Sequence, residues 1–158
     1  MAKEIEKIGK YEIDTMIAKG GMGAVYKGTH PTLKRNVILK KLTLRGSTSF
    51  KKRFLREAQI LMDFKHENIV NVYDHFKEKA SWYIVLEYVD GCSLDQILKQ
   101  ERYLPEDLAL YIFFQIATAL EYAHGKNVVH RDIKPGNILI SKTGDVKLAD
   151  FGIASKDE

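Results

Sequence analysis

Alternating apolar and polar positions mark the beginning of the chain as a succession of strands. Between Tyr11 and Ile17 the aromatic and β-branched residues fall at every second position, which is the period of a half-buried strand. A Gly-rich turn follows, and further strand-like segments cover residues 24–27 and 37–40. A Gly-rich turn between two such segments predicts a hairpin.

Helical spacing replaces this alternation further along the chain. Between Phe50 and Phe64 the apolar residues recur on one face of a predicted helix. Glu57 falls inside that apolar stripe, where a carboxylate should have a cationic partner. Two short strands are then predicted, over residues 69–73 and 82–88.

The second half of the chain is predicted to be mostly helical. Ser93, with Gln96 three residues later, has the pattern of a capping box at the start of a short helix. Pro105 suits the first turn of a long helix through Ala123. That helix is apolar nearly all round, so we expect it to be covered on several sides. A hairpin over residues 137–149 finishes the pattern.

Composition places the chain among ordinary globular proteins, with 158 residues, 45% hydrophobic and 29% charged. Its net charge is +4, and basic residues cluster between Lys34 and Arg56. Because this cluster lacks interleaved aromatics and a known motif, we interpret it as a solvated surface, without nucleic acid as a partner. The single cysteine, Cys92, fits a reducing cytoplasm. The longest apolar stretch, 13 residues, is too short for a membrane segment.

The Gly-rich turn is a candidate phosphate-binding feature. Residues 20–25 read Gly-Gly-Met-Gly-Ala-Val, and glycine lets backbone N–H groups approach phosphate oxygens without a side chain in the way. Alone this signal is weak, since ordinary hairpin turns share it. Lys40 ends an apolar strand seventeen positions after Gly23, where it could hold α- and β-phosphates as a point charge. Lys40 would also be the cationic partner that Glu57 needs.

Residues 130–137, His-Arg-Asp-Ile-Lys-Pro-Gly-Asn, are the most specific feature of the sequence. Phosphoryl transfer to a hydroxyl needs the hydroxyl oriented, the transferring charge neutralised and a metal held. Asp132 can accept the hydroxyl proton, Lys134 can neutralise γ-phosphoryl oxygens, and Asn137 can bind Mg²⁺. Asp150, followed by Phe and Gly, supplies a second hard oxygen ligand suited to Mg²⁺. Each residue alone could be a loop cap, but the ordered set favours one shared chemistry.

In this order the motifs resemble the eukaryotic-type (Hanks-type) Ser/Thr protein kinase family. Gly-Gly-Met-Gly with Asp-Phe-Gly-Ile-Ala is similar to its bacterial branch, and Lys134 is typical of Ser/Thr rather than tyrosine kinases. The resemblance implies an α+β, protein-kinase-like fold. Its parts would be an N-terminal extension over 1–10, an antiparallel β lobe with the αC helix over 11–88, and the first part of a helical C-lobe over 89–158.

The resemblance also implies the roles of individual residues, with ATP and Mg²⁺ as cofactors. Asp132 would be the catalytic base, assisted by Lys134, and Lys40 would pair with Glu57 of the αC helix. The magnesium ligands would be Asn137 and Asp150. The nucleotide contacts would come from the Gly-rich turn, the strands beside it, the hinge segment and one residue after the catalytic loop. These are Ile17, Gly20, Gly21, Met22, Gly23, Val25, Ile38, Lys40, Glu87, Val89 and Leu139.

The sequence given stops at Glu158, before the family's activation segment and peptide-docking helices. We therefore expect the N-terminal part of a kinase that transfers the ATP γ-phosphate to protein Ser/Thr hydroxyls, and ATP binding as the narrower activity of the isolated chain. Self-association through an uncovered helical face is a further expectation. The alternatives are a non-catalytic nucleotide-binding interaction module and a small-molecule phosphotransferase. Lys134 and the Asp-Phe-Gly sequence speak against the latter.

Two residues depart from the family pattern where the nucleotide would bind. Ala18 stands where the first glycine of the turn usually sits, and this should be tolerated because Gly20 and Gly23 remain. Ile38 stands where the family usually has alanine against the adenine ring. The extra bulk should narrow the adenine slot.

We therefore expect Ile38→Ala to tighten ATP binding. Overpacking of this kind typically costs ~1–3 kcal/mol, and removing it should lower the dissociation constant accordingly. Titration calorimetry with ATP and Mg²⁺ on the two proteins measures the effect. Unchanged or weaker binding by the variant would refute the steric argument.

Overall fold

The structure is a computed structural model that describes residues 6–20, 23–42 and 48–151, without the side chains of Phe50 and Arg53. The chain divides into two compact units. The first comprises residues 1–62 and 72–88, and the second comprises residues 63–71 and 89–158.

Within the described residues the first unit contains six strands and one helix. The strands are β1 (Lys7–Ile8), β2 (Tyr11–Gly20), β3 (Gly23–Thr29), β4 (Asn36–Leu42), β5 (Val72–Glu78) and β6 (Ser81–Glu87), and the helix is α1 (Thr48–Met62). Neighbouring strands pair antiparallel in the order β1-β2-β3-β4-β6-β5. This confirms the antiparallel β lobe with one helix. The two-residue strand β1 had no signal in the sequence.

The predicted glycine hairpin is confirmed, but the predicted alternation along β2 is wrong. Gly20 pairs with Gly23 across the turn, and Gly21 and Met22 lie outside the described residues. The register of β2 against β3 shifts twice, between Ile13 and Thr15 and again between Met16 and Ala18. Each bulge adds one residue and breaks the period of two.

The predicted strand over residues 69–73 is also displaced. β5 begins only at Val72 and continues through the polar residues up to Glu78, because the strand lies at the sheet edge. The apolar residue Ile69 instead forms a parallel bridge with Leu148 in the second unit. The apolar residues from Ile69 therefore mark a buried extended segment that lies before β5 and outside it.

The two faces of the sheet carry different side chains, because neighbours along a strand point to opposite sides. One face packs into a core of Ile8, Tyr11, Val37, Leu39, Tyr83 and Val85. On the other face the ring of Phe54 in α1 lies 6.3 Å from the ring of Trp82. Trp82 pairs with Leu42, two residues from Lys40, so α1 and Lys40 share this second face.

The second unit combines helices with a small sheet. Its helices are α2 (Leu94–Glu101) and α3 (Glu106–Gly125), and its strands are β7 (Gly91–Ser93), β8 (Ile138–Ser141) and β9 (Val146–Leu148). The strands pair in the order β7-β8-β9, and a 3₁₀ turn over Pro135–Asn137 precedes β8. The capping box is confirmed, since the Gln96 N–H donates to Ser93 Oγ at 3.2 Å and the Ser93 N–H to Gln96 Oε1 at 2.9 Å.

Helix α3 is buried on one side only within the described residues. Ile112, Ile116, Ala119 and Ala123 are buried, whereas Phe113 and neighbouring large side chains are exposed. An apolar groove of about 810 Å³ runs along the helix. From the sequence we expect other elements to cover α3 on several sides, but the described part of the chain covers it on one side. No helix in the described ranges is both long and apolar enough to cross a membrane.

We expect Gly23→Ala to destabilise the glycine hairpin. Gly23 has a φ of 142°, and an added Cβ would lie 1.9 Å from the Lys41 carbonyl oxygen of the neighbouring strand. Backbone strain of this kind costs about 1–3 kcal/mol. Urea unfolding should show the loss. Gly125→Ala is the matched control, because a Cβ there meets nothing within 4 Å, and an equal loss in both variants would contradict the explanation.

Candidate active site

The sheet register of the first unit aligns several of the expected nucleotide contacts on one face. Val25 of β3 pairs with Lys40 of β4, and Lys27 pairs with Ile38. Ile38 in turn pairs with Leu86 of β6. Val25, Ile38 and Lys40 therefore form a continuous half-buried surface on the face opposite the core.

Glu57 lies in α1, which packs on this same face, and its side chain is half-buried. Lys40 and Glu57 both have interaction partners in the structure. The common face favours an ion pair between them. That pair stays a prediction.

The remaining expected nucleotide contacts are spread over both units. Ile17 lies at the second bulge of β2 with 54% of its surface exposed, and Glu87 ends β6. Val89 and Leu139 belong to the second unit, where Leu139 is a half-buried residue of β8. The contact of these residues with ATP stays a prediction.

A buried histidine fixes the loop that carries the candidate catalytic residues. His130 is 1% exposed, and its Nε2–H donates to the carbonyl of Ala149 at 2.7 Å. Its Nδ1 accepts the N–H of Asp132 at 3.1 Å. Because Nδ1 must keep a lone pair for this bond, the imidazole is neutral. Burial lowers the pKa of His130, although the Ala149 bond and nearby carboxylates oppose the shift.

Asp132 sits in a small polar cluster with two of the residues that the motif predicts. Asn137 Nδ2 donates to the Asp132 carboxylate at 3.0 Å, and Lys134 Nζ lies 3.4 Å from the same oxygen. The Asn137 hydrogen bond and then Lys134 lower the pKa of Asp132. The structure thus brings Asp132, Lys134 and Asn137 together, with Asp132 ionised and exposed to incoming groups.

The orientation of Asn137 suits a magnesium ligand. Its Nδ2 donates to both the carbonyl and the carboxylate of Asp132, which fixes the amide plane. Among the described residues no donor reaches its Oδ1, although the residue is only 5% exposed. The amide oxygen is therefore available to a hard cation.

Asp150, the second predicted magnesium ligand, follows β9. The Ala149 N–H donates to the Asn137 carbonyl at 2.8 Å. Asp150 therefore directly follows a residue that is hydrogen-bonded to the backbone of Asn137. Asp150 is exposed and adopts a left-handed φ of 55°, a conformation that costs energy outside glycine and clusters at functional sites.

An amide and a carboxylate together fit Mg²⁺ better than a metal that needs a complete protein cage. In the described ranges no group of three or more His, Cys, Asp or Glu residues could hold a metal ion. Mg²⁺ commonly takes one or two protein oxygens and completes its shell with water and substrate phosphates. Asn137 and Asp150 fit that pattern.

Sequence reasoning missed two features that hold this site. His130 was not recognised as the anchor of the loop, and Asn68 was not singled out at all. Asn68 is buried, and its Nδ2 donates to the Val146 carbonyl at 2.9 Å. The only local signal was a polar residue directly before the apolar pair Ile69 and Val70, which does not reveal its distant partners.

The chain belongs to the protein kinase domain family, whose sequence model matches residues 11–158. It is 42% identical over 149 residues to the serine/threonine-protein kinase PrkC of Bacillus subtilis. The matched region covers 93% of this chain and 23% of PrkC. It is 39% identical over 158 residues to the serine/threonine-protein kinase PknD of Chlamydia trachomatis, covering 92% of this chain and 17% of that protein. The chain therefore spans less than a quarter of these relatives.

Solved structures give the same result. The kinase domain of Mycobacterium tuberculosis PknI superimposes with a TM-score of 0.85 at 31% identity, covering 100% of this chain and 65% of that chain. Rad53 1–466 in complex with AMP-PNP matches with a TM-score of 0.82 at 30% identity, covering 91% of this chain and 38% of that chain. The resemblance to bacterial Ser/Thr kinases and the protein-kinase-like fold are confirmed.

We expect His130 to make stability depend on pH. Its folded pKa lies below the ordinary value of 6.5, so the unfolded chain binds a proton first as pH falls. The free energy of unfolding should therefore decrease as pH drops below about 6.5 towards the folded pKa. Urea unfolding at about pH 7.5 and about pH 5.5 measures this decrease, which should be smaller in His130→Gln.

His124→Gln, at the exposed end of α3, is the control for this experiment and should keep the pH dependence of the parent protein. Equal pH dependence in the parent protein and His130→Gln would show that the buried imidazole is not responsible.

Proposed function

We propose that this protein binds ATP with Mg²⁺ and transfers the γ-phosphoryl group to Ser or Thr hydroxyls of protein substrates. The observation that carries the proposal is the cluster in which Asp132 accepts from Asn137 at 3.0 Å beside Lys134 at 3.4 Å. The names of PrkC and PknD as serine/threonine-protein kinases support the reaction class. The AMP-PNP complex of Rad53 supports an adenine nucleotide as the ligand.

The cluster suits general base catalysis at a hydroxyl. Asp132 is ionised and exposed, so one of its carboxylate oxygens can accept the proton of an approaching Ser or Thr. Lys134 lies beside it with its side chain 57% exposed, so its ammonium can neutralise charge on the transferring phosphoryl oxygens. Asn137 holds the Asp132 carboxylate in place through its amide.

Asn137 and Asp150 are proposed to hold the metal. When bound, Mg²⁺ would neutralise the phosphate charge and fix the nucleotide for in-line transfer. The backbone hydrogen bond between Ala149 and Asn137 holds together the two backbone segments that carry these proposed ligands.

Residues of the first unit are proposed to bind the nucleotide itself. Val25 and Ile38 offer an apolar surface to a flat base, and Lys40 ends that surface with a cation suited to phosphate. Gly20 and Gly23 pair at the end of the β2–β3 hairpin, and a glycine-rich sequence at this place is suited to offering backbone N–H groups to phosphate. Glu87 and Val89 would hold the base edge through backbone groups, with Ile17 and Leu139 as further apolar contacts.

We further propose that the protein is cytoplasmic and self-associates through the exposed face of α3. The single cysteine, Cys92, is exposed and unpaired, which favours a reducing compartment such as the cytoplasm. Should the purified chain bind Mg-ATP, self-associate in light scattering and transfer no phosphate, the non-catalytic interaction module would be the better description.

Asp132→Asn tests the proposed role of the carboxylate. We expect it to lower phosphoryl transfer to a basic protein substrate by roughly 10²–10⁴-fold, the usual contribution of a general base. ATP affinity should stay within about twofold, because the proposed ATP contacts are unchanged. Incorporation of labelled γ-phosphate measures the first quantity and calorimetry the second.

Asp145→Asn is the matched control. Asp145 is also an exposed aspartate with a lowered pKa, caused by hydrogen bonds from Thr143 and Ser141, but it lies in the turn between β8 and β9. We expect it to retain phosphoryl transfer. If Asp132→Asn transferred phosphate as fast as Asp145→Asn, the proposed base would be incorrect.

A further inference from the structure

We propose that Asn68 is a positioning residue for the magnesium ligands, acting through the register of strand β9. This inference rests on the proposed function, in which Asn137 and Asp150 hold Mg²⁺. Asn68 itself touches neither ligand side chain in the described structure. Its action would pass through the backbone of residues 146–150.

The side-chain amide of Asn68 forms hydrogen bonds through both its nitrogen and its oxygen within the second unit. The residue is 6% exposed. Its Nδ2 donates to Gln115 Oε1 at 2.7 Å and to the Val146 carbonyl at 2.9 Å. Its Oδ1 accepts the hydroxyl of Thr118 at 3.2 Å. The amide therefore connects α3 with the first residue of β9.

The backbone of the same residue bonds to the other end of β9. The Leu148 N–H donates to the Asn68 carbonyl at 2.8 Å, and the Val70 N–H donates to the Leu148 carbonyl at 3.0 Å. β9 has β8 on one edge, and this segment forms a parallel bridge on the other. Asn68 therefore forms hydrogen bonds to both the first and the last residue of the three-residue strand β9.

Strand β9 leads directly into the candidate metal site. Ala149 follows it and is held from both sides, by its N–H to the Asn137 carbonyl and by its carbonyl to His130. Asp150 comes next. A slip of β9 by one residue would turn every side chain to the opposite face, and would carry Asp150 out of position.

A polar residue is needed at this place for geometry more than for stability. The β8 pairing and one parallel bridge set the register of β9 through backbone bonds alone, and a side-chain amide that donates to one particular carbonyl adds a directional bond that a slip would break. The buried polar residues in the described part of the chain are Asn68, His130 and Asn137. The side chains of Asn68 and His130 both bond to the segment from Val146 to Ala149, and the backbone carbonyl of Asn137 accepts from its last residue, so two of the three buried polar side chains fix the segment that leads to Asp150.

The test compares nucleotide affinity with and without Mg²⁺. We measure the dissociation constant of a fluorescent ATP analogue in excess Mg²⁺ and in EDTA, and take the ratio as the magnesium enhancement. Asn68→Ala should lower this enhancement about tenfold, the lower end of the effect seen when a partner that orients metal ligands is removed. The affinity in EDTA should change by less than about twofold. Asp150→Ala, which removes the carboxylate ligand, should abolish the enhancement.

Thr118→Val is the matched control. It removes the hydroxyl that Asn68 Oδ1 accepts but leaves the Val146 bond intact, so it should weaken the fold while retaining the magnesium enhancement. Where Asn68→Ala does not fold, Asn68→Leu replaces it. That variant has nearly the same shape, but its apolar side chain cannot donate to the Val146 carbonyl.

Hydrogen exchange without nucleotide provides a second readout. In Asn68→Ala and Asn68→Leu the amides of Leu148 and Ala149 should exchange faster than in Thr118→Val. Unchanged enhancement in folded Asn68 variants, with parent-like exchange at these amides, would overturn the positioning role. A parent protein without any magnesium enhancement would instead overturn the proposed function, and the exchange result would still decide whether Asn68 fixes β9.

Discussion

The hydrogen bond from His130 Nε2 to the Ala149 carbonyl is the constraint on which the candidate catalytic geometry depends. It joins a loop and a strand end that are nineteen residues apart in sequence, and the other ring nitrogen orients the Asp132 backbone. Because His130 is almost fully buried, water cannot replace either bond, and an unmade bond would cost about 1–3 kcal/mol. Arg131, which follows His130, and Asp150, which follows Ala149, both adopt left-handed conformations, with φ of 71° and 55°. These strained positions persist because the buried ring determines where both segments go.

The sheet of the first unit separates its core from the face that is proposed to bind the nucleotide. Alternation along β4 places Leu39 in the core while Ile38 and Lys40 point to the other face. The core on the first face therefore stabilises the strands whether or not a ligand is bound. Bulges interrupt the alternation twice in β2, the strand that leads to the glycine hairpin, and once in the edge strand β5.

Local chemistry made much of this structure predictable from the sequence. The Ser93 capping box, the glycine hairpin and the loop of Asp132 are determined by residues within a few positions of one another, and all three are found as expected. Errors occurred where a distant partner decides the outcome. Ile69 has the β-branched apolar side chain that is typical of strands, but it forms an isolated bridge with Leu148 and lies outside β5. The edge strand β5 continues through polar residues, which carry no apolar signal. Asn68 has partners 47 to 78 positions away, so no local pattern could identify it.

The distribution of buried polar groups explains why the catalytic segment cannot be treated as ordinary core. An apolar replacement of equal shape for a satisfied buried pair is often nearly neutral in stability, so stability alone does not require polar residues there. Apolar packing, however, tolerates small shifts and alternative rotamers, whereas a hydrogen bond to one carbonyl fails when the donor moves by about 1 Å. Asn137 illustrates the difference, because two donor bonds to Asp132 leave its amide oxygen facing one direction. A site that must place an amide oxygen and a carboxylate for one cation requires that directionality, and the second unit provides it through buried polar side chains bonded to specific backbone atoms.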